Sequence, residues 1–165
     1  MKYLKLFAVP LASLLLYGCW GTGTDDDFVN HSSQYKAVTM MRSQLEASIK
    51  LKPAQAVTDA GKIYIKDDMM YITEKNKGFH VYNYQNPANP TPVAFIEVPG
   101  ATDVAIRNNN LYINQAVDLV TLTYSGSAIT VTGRVRNIFP QKQAPDNSIK
   151  YLAQDEVIVN WIPKS

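Results

Sequence analysis

Few side chains in this chain could do acid–base or metal chemistry. The sequence has one cysteine, Cys19, and two histidines, of which His80 lies between the apolar residues Phe79 and Val81. With no second histidine or cysteine near His80, the sequence predicts no transition-metal site there. A glycine-rich phosphate loop and a nucleophilic-serine elbow are also missing from this sequence. The residue types therefore predict neither a catalytic set nor a cofactor.

Two carboxylates keep an enzymatic alternative open. Asp103 and Asp118 stand near the ends of strand-like segments, where they could approach each other and act as an acid–base pair. An enzyme of hydrolase type is thus the alternative to a binding protein. Ordinary turn and edge positions are the competing interpretation of both residues.

Tyrosines are the better candidates for ligand contact. Six of them occur in segments with strand-like alternation: Tyr64, Tyr71, Tyr82, Tyr84, Tyr112 and Tyr124. A tyrosine offers a large contact area and a polar tip. The alternative is that these rings simply pack between sheets.

The amino terminus has the layout of a secretory signal. Lys2 and Lys5 precede an apolar stretch over residues 6–16, which is shorter than the roughly 20 residues that a membrane span needs. The following residues Leu16-Tyr17-Gly18-Cys19 resemble the lipobox of bacterial lipoproteins. That resemblance implies removal of residues 1–18 and attachment of lipid, palmitate included, to Cys19. An unmodified cysteine after a plain secretory signal is the alternative.

Residues 19–34 are predicted to form a flexible tether between the lipid and the domain. They are mostly Gly, Thr, Asp, Asn and Ser, a composition that cannot bury a core. In enteric bacteria an Asp directly after the lipidated cysteine resembles an inner-membrane retention signal. Trp20 occupies that position here, which favours the outer membrane, on its periplasmic or surface side.

Charge gives no indication of a nucleic-acid partner. The chain has 16 basic and 14 acidic residues, and two of the basic ones, Lys2 and Lys5, belong to the predicted signal peptide. The remaining Lys and Arg residues are scattered singly, so no basic patch is predicted.

Residues 35–165 are predicted to form an all-β domain with one short amino-terminal helix. The helix is predicted over residues 40–49, because Met41, Leu45 and Ile49 recur at a spacing of four. From Gly61 onward the pattern changes to short alternating segments separated by turn residues, which is typical of strands.

An internal repeat organises these strands. Residues 63–72 align with residues 104–113 at an offset of 41, and residues 79–84 align with residues 119–124 at an offset of 40. Each copy predicts four strands, over residues 62–66, 69–73, 79–84 and 93–98 in the first and over residues 104–107, 110–114, 119–124 and 129–135 in the second. A repeat of about 40 residues built from short strands is typical of propeller blades. The sequence thus predicts two four-stranded antiparallel blades, at about residues 61–100 and 102–135, and a last strand at 157–161.

Tight turns are expected at the first hairpin of each copy. Asp67-Asp68 and Asn108-Asn109 occupy equivalent positions, and short polar residues tolerate the backbone angles of such turns. We also expect Tyr71 and Tyr112 to occupy equivalent positions in their sheets.

The two copies resemble the LVIVD-repeat family of predicted β-propeller lipoproteins. The resemblance rests on short motifs in the family's order: Gly61-Lys62-Ile63-Tyr64, Lys77-Gly78-Phe79-His80-Val81, Asn86-Pro87 through Pro90, Phe95-Ile96-Glu97-Val98-Pro99-Gly100 and Leu111-Tyr112. It implies an envelope-anchored propeller and supplies no catalytic residues. Larger members of the family continue into further repeats.

These patterns predict a non-catalytic envelope lipoprotein that binds a protein or a ligand. A shortened gene product without a function of its own is a further alternative. Because propellers close with about four or more blades, two blades should leave exposed edges. We therefore expect self-association, or else a weakly stable monomer.

Overall fold

The computed structural model describes residues 33–165, which belong to one compact unit. The predicted signal peptide, the lipidation site Cys19 and nearly all of the predicted tether lie outside the described residues. Within the described part, no helix is long and apolar enough to cross a membrane.

Antiparallel strands make up most of the described chain. In chain order the elements are β1 (Tyr35–Met41), α1 (Arg42–Glu46), β2 (Lys50–Pro53), β3 (Ala60–Lys66), β4 (Met69–Glu74), β5 (Gly78–Asn83), β6 (Thr91–Glu97), β7 (Ala101–Arg107), β8 (Asn110–Gln115), β9 (Asp118–Tyr124), β10 (Ile129–Val135) and β11 (Glu156–Pro163). They form a first sheet of order β2-β6-β5-β4-β3, a second sheet of order β10-β9-β8-β7, and a ribbon of β1 and β11. None of the three is closed.

Each copy of the repeat folds as four consecutive antiparallel strands close to the predicted positions. The first sheet has a fifth strand that the sequence analysis missed: β2 pairs with β6, with Lys50 opposite Glu97. The predicted last strand is also present, as the longer β11.

The predicted helix is wrong in its extent. Only Arg42–Glu46 is helical, because Met41 still pairs with Glu156 of β11 and Lys50 already pairs with β6. A helix of five residues cannot hold itself together by its own hydrogen bonds. Its position depends on Leu45, which is fully buried.

Both predicted tight turns are confirmed. Lys66 pairs with Met69 and Arg107 pairs with Asn110, so each hairpin has a two-residue turn. In the second hairpin both Asn108 and Asn109 have positive φ, at 47° and 64°. Positive φ at both central positions is the conformation of a type I′ turn, and Asn adopts it more readily than most residues do.

The main core lies between the first and second sheets. Buried side chains of both sheets contribute to it: Tyr71, Phe79, Val81, Ala94 and Ile96 from the first, and Val104, Leu111, Ile113, Leu122 and Tyr124 from the second. Side chains of a strand alternate between its two faces. The first sheet therefore contributes one face to this core and the second sheet contributes one of its own.

The two copies of the repeat bury opposite faces. Tyr71 and Tyr112 are both the third residue of their strand and are equivalent in register. Tyr71 faces the core, whereas in β8 it is Leu111 and Ile113, on either side of Tyr112, that are buried. The same inversion holds in the next strand of each copy. Val81 faces the core in the first copy, whereas in the second copy the residue that faces the core is Leu122, one position after the equivalent of Val81. Equivalent residues thus lie on the core side in one sheet and on the outer side in the other.

A second, smaller core lies under the β1–β11 ribbon. Val38 and Met40 of β1 pack with Val157 and Val159 of β11 over the turn between β8 and β9. The ribbon therefore covers the end of the second sheet at which that turn lies.

Candidate functional site

The six candidate tyrosines do not converge on one site. Tyr71 and Tyr124 are buried in the main core, and burial raises the pKa of both hydroxyls. Tyr82 near the end of β5 and Tyr84 just after it are half-buried. Burial of two of the rings between the sheets favours a packing role for those two.

Tyr64 and Tyr112 come together in one shallow cavity at the second sheet. The cavity measures about 300 Å³, and Asp103, Leu119 and Phe139 also line it. The Tyr64 hydroxyl donates a hydrogen bond to Asp103 at 2.5 Å. Two of the predicted contact tyrosines therefore share this cavity.

Asp103 is held by side chains of the first sheet and by the backbone of its own strand. The Lys62 ammonium forms an ion pair with it at 2.5 Å, and the Val104 amide donates to it at 2.9 Å. Burial alone would raise the pKa of Asp103, but the hydrogen bonds from Lys62, Tyr64 and Val104 bring it below its ordinary value. The carboxylate therefore links β3 to β7 and stays ionised at neutral pH.

Asp118 is fully buried and held by two arginines. Arg42 of α1 donates to both of its oxygens and Arg134 of β10 donates to one of them, all at 2.7 Å, and the Asn137 amide donates to it at 3.1 Å. Burial raises the pKa of Asp118, but the hydrogen bonds from Arg42, Asn137 and Arg134 outweigh that effect and lower it. Among the described residues, Asp103 and Asp118 share no hydrogen-bonding partner.

A second buried carboxylate, Glu74 at the end of β4, was missed by the sequence analysis. It accepts hydrogen bonds from the Thr58 hydroxyl and amide and from the Asp59 amide. His80 Nε2 lies 2.9 Å from Glu74 and Lys77 Nζ lies 3.0 Å from it. Burial raises the pKa of Glu74, and these hydrogen bonds lower it far below the ordinary value.

The position of His80 follows from this network. The ring is buried, with its centroid 4.8 Å from that of Phe95. His80 thus packs on an aromatic ring and contacts Glu74. Among residues 33–165 no group of three or more His, Cys, Asp or Glu side chains could hold a metal ion.

A basic cleft lies between the ribbon and the turn that joins β4 to β5. Its volume is about 440 Å³. We call it the lysine cleft, and its lining includes Lys75, Lys77, Lys142, Asp59, Asn160 and Trp161. Two hydrogen bonds fix its walls: Trp161 Nε1 donates to the Lys142 carbonyl at 2.9 Å, and Asn76 Nδ2 donates to Asn160 Oδ1 at 2.6 Å.

The sequence carried no signal for the lysine cleft. Lys75 and Lys142 are far apart in the chain, and Lys142 lies in the long segment between β10 and β11 that follows the repeat. Only the packing of the ribbon against the first sheet brings these residues to one place.

Comparison of the chain with protein-family models, with curated proteins and with solved structures finds no match in any of the three.

Proposed function

We propose that this chain is a lipid-anchored protein of the bacterial envelope whose β-domain binds other molecules and is not catalytic. Its first partner is a second copy of the same chain. One observation carries the proposal: the outer side of the first sheet exposes apolar side chains at positions whose equivalents in the second repeat are buried in the core. The absence of catalysis is supported by Asp103, Asp118 and Glu74, which all accept hydrogen bonds from cations of the chain itself.

The inverted burial of the two repeats supports blade-like stacking. Successive blades of a propeller are related by rotation, so one face of a blade packs on the opposite face of the next. Two sheets related by a two-fold axis would instead bury equivalent faces. The buried pair Tyr71 and Leu111 follows the first pattern. The resemblance to LVIVD-repeat proteins is in keeping with this arrangement and forms part of the proposal.

The exposed surface lies on the outer side of β3 and β4. Ile63 and Ile65 are 58% and 53% exposed, and Met70 and Ile72 are partly exposed beside them. Their equivalents in the second repeat are Val104, Ile106, Leu111 and Ile113, which all belong to or pack against the main core. The outer side of β3 and β4 thus has the composition of a surface that packs against a neighbouring blade.

The second copy can supply that neighbour. Within the domain, the second-repeat equivalents of this surface pack against the inner face of the first sheet. The outer face of the second sheet is the repeat equivalent of that inner face. Tyr112, Leu119 and Thr121 there correspond to Tyr71, Phe79 and Val81. Two chains joined head to tail through these surfaces bring four blades together, the smallest number in the usual range of about four to eight.

Light scattering coupled to size exclusion tests whether two copies of the chain associate. We expect residues 19–165 with Cys19→Ser to be a dimer, and Ile63→Ser with Ile65→Ser to give a folded monomer. Tyr112→Ser, on the opposite surface, should also give a monomer. Mixing the two monomeric variants should restore a dimer, because each supplies the intact surface for one contact.

Two results would contradict this arrangement. If Tyr112→Ser leaves the dimer intact, the first sheets meet face to face. A wild-type monomer with a sharp, high-temperature unfolding transition would mean that the two repeats form a self-sufficient sandwich. Tyr151→Ser is the matched control, because it removes an exposed aromatic ring away from both surfaces. An unstable monomer that finds no partner would favour a shortened gene product.

The lipid anchor is tested separately. A palmitate analogue should label the wild-type chain and not the Cys19→Ala variant, and label retained by that variant would exclude the anchor. The proposal includes the outer membrane, since Trp20 and not Asp follows Cys19. Labelled protein found in the inner-membrane fraction would correct that part alone.

The point at which the tether meets the domain supports an orientation toward the membrane. Ser33 Oγ lies 2.7 Å from Ser148 Oγ, and the Gln34 amide donates to Asp146 at 2.8 Å. Directly after this contact come Ile149 and Tyr151, which are 80% and 89% exposed. Apolar and tyrosine side chains suit the headgroup region of a bilayer. Replacing both with Ser should weaken binding of the unlipidated domain to anionic vesicles by about tenfold.

A further inference from the structure

The lysine cleft holds two like charges, the ammonium groups of Lys75 and Lys142. Lys75 and Lys142 both line it, and within residues 33–165 neither ammonium forms an ion pair with a carboxylate. Burial and, to a smaller extent, repulsion from Lys75 together lower the pKa of Lys142 to about 8. Holding a partly desolvated cation beside a second cation costs free energy. An anion bound between them would offset this cost by attracting both.

The surroundings of Lys142 keep it in place. Trp161 Nε1 donates to the Lys142 carbonyl, so the lysine backbone is fixed against the ribbon. On the other wall, Asn76 is fixed by Asn160, and this positions the neighbouring Lys75. The cleft is therefore built by the fold, with its cations on two different elements.

The other charged groups of the cleft set a limit on the ligand. Lys77 forms an ion pair with Glu74, and Asp59 also lines the cleft. The ammonium groups of Lys75 and Lys142 outnumber the carboxylate of Asp59, so the cleft has a net positive charge. A compact anion with two charges, placed at Lys75 and Lys142, matches this distribution better than a single charge or a long acidic chain.

We infer that the lysine cleft binds a small molecule that carries a compact dianionic group, either a phosphate or a pair of carboxylates. Trp161 supplies an apolar wall for the uncharged part of such a molecule. The inference depends neither on the lipid anchor nor on the second copy. It assigns to the β-domain a ligand site separate from its exposed sheet face.

Trp161 fluorescence provides a direct test. In residues 19–165 with Cys19→Ser and Trp20→Phe, Trp161 is the one remaining tryptophan. We expect saturable changes on titration with inorganic phosphate or with citrate, at ionic strength held constant with chloride, and a Kd of about 1 mM or lower. A response to phosphate alone identifies a phosphate site, and a response to citrate alone identifies a carboxylate site.

Two variants and one control decide whether the lysines are responsible. Lys142→Gln and Lys75→Gln should each weaken binding by about tenfold, the usual effect of losing one charge-assisted contact. Lys66→Gln, which removes an exposed lysine at the tip of the first hairpin, should change nothing. The ligand should also raise the thermal midpoint of the wild type and not that of Lys142→Gln, and this readout shows that the variant is folded.

Binding should also depend on pH. Lys75, Lys77, Asp59 and Glu74 are the charged groups that face Lys142 or line the same cleft. Of the groups with a resolved shift, Lys142 loses its proton first as the pH rises past about 8, so affinity should fall between about pH 7 and pH 9.5. The inference would be overturned if neither phosphate nor citrate gives a saturable signal up to about 10 mM. Equal weakening by Lys66→Gln would do the same, because it would indicate general charge screening.

Discussion

The turns between the second and third strands of each repeat bury a carboxylate in different ways. In the first repeat Glu74 ends β4 and pairs with Gly78. In the second repeat Gln115 ends β8 and pairs with Asp118. The acid thus occupies the same cross-strand pair in both, but on opposite strands. The comparison shows that a repeat can keep a buried anion at one place in the sheet while the residue that supplies it changes.

Gly78 explains why the first repeat cannot place its acid where the second does. Its φ is +145°, and a Cβ atom there would lie 2.0 Å from the Ile96 carbonyl oxygen. Any side chain at this position would clash with the backbone of β6. The only place left for an acid in this pair is the opposite strand, at Glu74.

The two carboxylates also hold different parts of the chain. Glu74 accepts hydrogen bonds mainly from Thr58 and Asp59, which fixes the segment before β3. Asp118 accepts from Arg42 and Arg134, which ties α1 and β10 to the start of β9. The Asp118 network depends on full charges, whereas the Glu74 network depends largely on backbone amides and a hydroxyl.

Removing the charge of Asp118 should have the largest effect. Asp118→Asn leaves two nearly buried arginines without their anion, and breaking a buried ion pair typically costs about 3–5 kcal/mol of unfolding free energy. Urea unfolding of the soluble domain measures this loss. Asp67→Asn, at an exposed turn, is the matched control and should stay within about 0.5 kcal/mol. A small effect at Asp118 would mean that water hydrogen-bonds to the two arginines in place of the carboxylate.

Glu74→Gln should cost less, about 2–3 kcal/mol. The amide keeps one acceptor oxygen for the backbone amides but presents its NH2 group to the remaining donors. The same unfolding measurement applies, with Glu97→Gln as the control, because Glu97 forms an exposed pair with Lys52. A loss equal to that of Asp118→Asn would show that charge matters as much in the first network as in the second.

Acid should destabilise the domain through both carboxylates. The pKa values of Glu74 and Asp118 are lowered in the folded state, so the stability that they contribute is present above their ordinary values and is lost as the pH falls. The loss should begin at about pH 4.5 and grow on further acidification. In Asp118→Asn, unfolding free energy should vary less with pH over this range. An unchanged slope would exclude Asp118 as a source of the acid sensitivity.

The smallest effect is expected at the hairpin tips. Asn109 has a φ of 64°, and a residue without a side-chain hydrogen bond pays about 1 kcal/mol to adopt this conformation. Its equivalent Asp68 is not among the residues with positive φ. Asn109→Ala should therefore lower the thermal midpoint by a few degrees, and Asp68→Ala should lower it less. Equal shifts would mean that the two turns share one conformation in solution.

Much of the fold could be predicted from local pattern. Alternation and turn residues located the eight strands of the two repeats and both Asp67-Asp68 and Asn108-Asn109 turns. Strand β2 escaped prediction, since a four-residue edge strand carries too little pattern to recognise. The helix was overestimated because Met41 and Ile49 follow a helical spacing, yet β1 pairs through Met41 with β11, a partner more than a hundred residues away.

The sequence by itself determined the eight strands of the two repeats, their hairpin turns and the equivalence of the two copies, because alternation and turn chemistry act between neighbouring residues. Only the tertiary structure decided which face of each sheet is buried, since β4 has apolar side chains on both of its faces. It also decided that Glu74 and Asp118 are internal anions, and that Lys75 meets Lys142. Thr58, Arg42 and Lys142, which contribute to these three features, belong to segments outside the repeat, and only packing brings them within reach of it.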